Sequence, residues 1–95
     1  MTKLRLKPGY LVQQVGSEKV LIPCGTGAEV DFSRMIVLNE PGGLIAEKML
    51  AAFVVEEELR AVLMEHYDIG YDRVKQDVKD FLNELEEQGI LQKEE

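Results

Sequence analysis

The chain is poor in the residues that build chemistry: one cysteine, one histidine, and 11 basic residues set against 18 acidic ones in 95. Each scarcity removes a class of function. A lone Cys24 forms neither an internal disulfide nor a thiolate metal cluster, and its plain reading is a small buried hydrophobe. A lone His66 has no second imidazole at ligand spacing. It falls in the last turn of a predicted helix, where a cation is favoured, so its expected role is structural. No apolar run approaches the roughly 20 residues that cross a bilayer. The N-terminus MTKLRLKPGY lacks the apolar centre and cleavage site of a signal peptide. The expectation is a cytoplasmic protein without a membrane partner. A net charge of −7 opposes nucleic-acid binding, which rests on Lys and Arg displacing counterions. It favours a neutral or basic partner, and it also serves solubility.

There is no repeat, low-complexity tract or linker, and the length suits a single domain over 1–95. Leu4–Leu6 reads as a short extended start and Pro8-Gly9 as a turn. Tyr10–Val15 and Lys19–Cys24 are rich in Val, Leu and Ile, and Gly16-Ser17-Glu18 separates them, which predicts a hairpin. Ala28–Phe32 fits a loop or an irregular extended segment equally well. Met35–Leu38 predicts the third strand.

The run MIVLNEPGGLIAE, Met35–Glu47, carries the plan of the fold. Asn39 is a good N-cap, because its side-chain oxygen can accept an N–H of the first helical turn. Pro41 falls within that turn, where no backbone donor is needed. Three helices follow, over about Glu40–Ala52, Glu56–Tyr67 and Tyr71–Gln88, with Gly89 at the C′ position of the last. Val74, Val78, Phe81, Leu82 and Leu85 form one stripe of the third helix, and Ile90 and Leu91 add an apolar tail that folds back on the core. The predicted class is α+β: a winged helix-turn-helix-like, three-stranded antiparallel sheet followed by three helices.

Catalysis needs convergent titratable groups, and none is evident, so no enzymatic activity, cofactor or metal is expected. Gly25-Thr26-Gly27 lacks the Gly-Lys-Ser/Thr ending of a phosphate loop. The acids Glu84, Glu86, Glu87, Glu94 and Glu95 lack the order of a calcium loop and read as a solvated face. A winged-helix DNA-binding regulator is the alternative function. Against it, Tyr71–Gln88 holds six acids and three bases; the clustering of those bases in its N-terminal half is what keeps the alternative open.

Met35–Leu38 can do more than build a sheet. An exposed strand edge is a row of unpaired donors and acceptors that an extended peptide can complete by β-augmentation. Strand alternation sets Met35 and Val37 on one side, Ile36 and Leu38 on the other, with one pair facing the core.

Pro8-Gly9, Val20-Leu21-Ile22-Pro23, Leu38-Asn39-Glu40-Pro41-Gly42, Glu57-Glu58-Leu59, His66-Tyr67-Asp68, Val74, Asp77-Val78, Phe81-Leu82, Leu85 and Gly89-Ile90-Leu91 follow one another along the chain. Taken in that order, these phrases resemble the PqqD family (coenzyme PQQ synthesis protein D). The likeness runs from about Leu6 to Leu91. It implies a RiPP recognition element: a non-catalytic peptide chaperone that binds the leader segment of a ribosomal precursor peptide. The leader adds as a strand to the third strand, lies against the third helix, and is presented to a modifying enzyme, often a radical SAM maturase. Carried onto this chain, Arg34, Met35, Ile36, Val37 and Leu38 would edge the groove. Tyr71, Val74, Lys75, Val78, Lys79 and Leu82 would form its helical wall, with Lys75 and Lys79 available for a leader carboxylate. The chain departs from the family pattern in having Val54-Val55 in place of a Ser or Thr cap and Glu47-Lys48-Met49 in place of an aromatic in the first helix. Ala28–Ser33 also resembles only a subgroup. Pyrroloquinoline quinone is thus one candidate product among several.

Overall fold

A computed structural model describes residues 2–23 and 35–94. The expected positions of Cys24, Gly25–Gly27, Ala28–Ser33 and Arg34 lie outside the described residues. The order of elements is β1 (Lys3–Leu6), β2 (Tyr10–Val15), β3 (Glu18–Pro23), β4 (Ile36–Leu38), α1 (Glu40–Ala51), α2 (Glu56–His66), α3 (Tyr71–Glu87) and β5 (Leu91–Glu94).

Strands β2, β3 and β4 form an antiparallel sheet in that order, and the three helices follow it, as the α+β reading expects. Gly16 (φ +64°) takes the first central position of the β2–β3 turn, where hairpin turns of the primed types need positive φ. The turn closes on the pair Val15↔Glu18. Hydrogen-bonded and non-hydrogen-bonded pairs alternate along an antiparallel ladder, so the turn also settles which backbone groups face which neighbour. Lys19 and Leu21 of β3 turn theirs toward β4, opposite Leu38 and Ile36. The N–H and C=O of Val37 therefore point away from β3.

The Asn39 junction forms as its residues dictate. Its Oδ1 accepts the Gly42 N–H at 2.7 Å, and Pro41 sits in the first turn. A Cβ on Gly42 would lie 2.8 Å from that Oδ1 and 3.6 Å from the Phe81 ring. The glycine that lowers helix propensity is thus what lets the cap oxygen come so close, whereas the ring would meet a Cβ at ordinary contact distance. At α2, Val55 offers no side-chain oxygen. Glu58 compensates in part: its carboxylate accepts the Val55 N–H at 3.3 Å, while its own N–H donates to the Val55 carbonyl at 3.0 Å.

The core lies between the sheet and the helices. Leu21 and Leu38 meet Ile45 and Met49 of α1, Leu59 and Leu63 of α2, and Val74, Val78 and Leu85 of α3, all buried. Burial of side chains of this size stabilises by about 1.5–3 kcal/mol each.

The tail beyond α3 differs from its expected form. It folds back, but as a strand. Gly89 (φ +74°) ends α3 in a Schellman arrangement: its N–H reaches the Glu86 carbonyl, and the Ile90 N–H reaches that of Leu85, each at 3.0 Å. The chain then runs antiparallel to β1, pairing Leu6↔Leu91 through Lys3↔Glu94. The other side of β1 bonds Val54 through Leu4, at 2.6 and 2.8 Å.

Candidate functional site: a groove at the edge of β4

Strand β4 is an edge of its sheet among the described residues. Its side chains split as alternation requires. Ile36 is half-buried and Leu38 buried, facing the core, whereas Met35 and Val37 are 39% and 55% exposed. An open groove of roughly 610 Å³ runs along this edge. Ile36, Val37, Leu38 and Asn39 form one side, Phe81 and Glu84 of α3 another, and Gln14, Ser17, Glu18 and Lys19 of the hairpin close its end. A neighbouring cleft of roughly 370 Å³ shares Asn39, Phe81 and Glu84 with it and extends along α3 past Asp80 and Asp77 to Arg73.

The groove combines an apolar strip with acids. Lys19 lines it, but its ammonium is held by Glu47 at 3.1 Å, and its stem lies over Gly43. Glu18, Glu40 and Glu84 also line the groove. Tyr67, at the end of α2, has the Glu40 carboxylate nearby. Partial desolvation and that adjacent carboxylate raise the phenol above its ordinary 10.0, and Lys19 opposes the rise.

The expected site residues separate into groups. Ile36, Val37 and Leu38 lie together on β4, with Met35 just before it, so the strand starts one residue later than expected; Arg34 is outside the described residues. Val74 and Val78 are fully buried, so they stand behind the groove as core rather than on its surface. Lys75, Lys79 and Leu82 line a different cleft, of roughly 540 Å³, against β1 and β5. At 3.6 residues per turn, Lys75, Lys79 and Leu82 fall on the flank of α3 opposite Asp77, Phe81 and Glu84. Tyr71 is 49% exposed and carries the Arg60 guanidinium 5.9 Å from its ring centroid. Phe81 and Glu84 were absent from the expected wall. Phe81 was legible as part of the apolar stripe, but nothing in the sequence marks which flank of that stripe meets β4.

No catalytic constellation emerges among the described residues. His66 Nδ1 donates to the Val62 carbonyl at 3.0 Å, one turn back on its own helix. No group of three or more His, Cys, Asp or Glu among the described residues could hold a metal ion, and no described helix is long and apolar enough to cross a membrane.

No curated protein matches the chain. Among solved structures, it is similar to one described as "Lasso peptide synthetase B1 complexed with the leader peptide", at a TM-score of 0.68 and 22% identity, covering 94% of this chain and 96% of that one. At that identity the likeness is one of fold. The family described as "Coenzyme PQQ synthesis protein D (PqqD)" matches residues 18–91, a span that holds β3, β4 and all three helices. The chain with an open β4 edge beside α3 therefore belongs to the PqqD family.

Proposed function

We propose that this protein is a RiPP recognition element, which binds the leader segment of a ribosomal precursor peptide at the β4 edge and presents it to a modifying enzyme. The observation that carries this reading is the outward-facing backbone of Val37, at the rim of a groove, in a chain of this family. The similar solved structure is itself a complex with a leader peptide, which supports the same occupant. In this reading the leader forms backbone hydrogen bonds at Val37, and its apolar side chains rest on Ile36 and Phe81. Glu18, Glu40 and Glu84 favour basic over acidic residues in it. The protein contributes no chemistry of its own. The modifying enzyme is a radical SAM maturase, pyrroloquinoline quinone is a candidate product, and the setting is the cytoplasm.

The test is Val37→Pro, which deletes an outward donor while leaving the bonds of Ile36 and Leu38 to β3 in place. Binding of a fluorescent synthetic leader, taken from a precursor encoded beside this chain, is followed by anisotropy. A Kd near micromolar, about −8 kcal/mol, is expected for the parent chain, with binding lost in the folded variant. Unchanged binding in a folded Val37→Pro protein overturns the proposed groove.

A further inference from the structure

A second strand edge lies on the opposite flank of α3. Leu4 directs its backbone groups to Val54, so the Leu4↔Lys93 pair exchanges no ladder bonds. By the same alternation, Leu6↔Leu91 exchanges none, while Lys7 bonds Ile90 at 2.8 Å. The N–H and C=O of Leu91 and Lys93 therefore point away from β1, and β5 pairs with no other strand among the described residues.

Beside this edge is the cleft of roughly 540 Å³, floored by Leu4, Leu82 and Leu91. Its charge runs against that of the molecule. Lys75, Lys79 and Lys93 line it with Glu56 and Glu86. Both acids are already engaged: Glu86 by Lys93, and Glu56 by Arg60 at 3.1 Å. Lys75 and Lys79 are exposed, and neither forms an ion pair among the described residues. A chain of net charge −7 thus presents two uncompensated lysines next to unpaired strand groups.

We propose that the β5 edge and its lysine-lined cleft dock an extended acidic segment of a protein partner. The segment adds as a strand to Leu91 and Lys93, places carboxylates on Lys75 and Lys79, and sets apolar side chains on Leu82. That the partner is the modifying enzyme rests on the function proposed above; the site itself does not. A second copy of this chain is a poor occupant, since both copies carry −7 and a symmetric β5 pairing would oppose lysines to lysines. The two edges flank α3 on different sides, so leader and partner can be held together.

The test uses the full ¹⁵N-labelled chain and two short probes, one alternating glutamate and valine, the other lysine and valine. The glutamate peptide is expected to shift the amides of Leu91 and Lys93 and leave Val37 in place. Its affinity should fall about tenfold or more in Lys75→Glu/Lys79→Glu, whose exposed positions spare the fold. It should persist in Val37→Pro, so failure of the leader groove leaves this result standing. The inference is overturned if Leu91 and Lys93 do not respond, if the lysine peptide binds equally, or if the double variant binds unchanged. It is also overturned if those amides move on dilution without peptide, which would assign the edge to a second copy.

Discussion

At the scale of single residues, the clearest electrostatic perturbation among the described residues falls on Tyr67. Partial desolvation makes the phenol resist losing its proton, and the nearby Glu40 carboxylate adds to that resistance, because the product would be a second anion. The consequence for stability has a definite sign. Below pH 10 the phenol is neutral in both folded and unfolded chains, and its contribution is constant. Above that, the unfolded chain releases the proton first, so stability falls as pH rises from the ordinary 10.0 toward the raised folded value. Urea unfolding between pH 9 and 11 should show this downward slope in the parent chain and less of it in Tyr67→Phe. Asn39 and Pro41 belong to the same scale, and both did what their chemistry predicts. Val55 did not have the expected cap chemistry, and a carboxylate three residues on takes over part of that role.

At the scale of elements, helix ends and starts were legible because they depend on local chemistry. All three observed helices begin at the expected residues and end one residue earlier at most. Pairing between distant segments was not legible. Lys3–Leu6 is short and polar on alternate positions, Leu91–Glu94 is short and polar after its first residue, and nothing local tells either that the other is its partner. The flank of α3 was also hidden. A 3.6-residue stripe shows which side faces the core, yet Phe81 and Leu82 lie at its two margins, and only the path of β4 decides which one borders the groove. The junction of α3 and β5 is open to test. Gly89 has open space around its missing Cβ but a left-handed backbone. Gly89→Ala should therefore cost about 1–2 kcal/mol from backbone strain alone, read as a lower urea midpoint with an unchanged m-value. A smaller loss is expected for Gly89→Asn, which tolerates that conformation better.

At the scale of the whole molecule, charge and topology point the same way. A chain of net charge −7 whose third helix carries Asp72, Asp77, Asp80 and Glu84 repels a phosphate backbone along that flank of the helix. A mobility-shift assay with random duplex at low salt is expected to show no complex, whereas a winged-helix regulator would form one there first. The same topology leaves strand edges on both flanks of α3, and both belong to short strands of three and four residues. Edges that short offer few backbone bonds, so selectivity must come from the side chains beside them.

The cap of Asn39 on Gly42 has a further reach. A Cβ at that position would stand 2.8 Å from the amide oxygen that starts α1, while the Phe81 ring would meet it at an ordinary 3.6 Å. A single methyl there would displace the cap before it disturbed the aromatic wall. The junction that hands β4 over to α1 is therefore held by the smallest substituent a residue can carry.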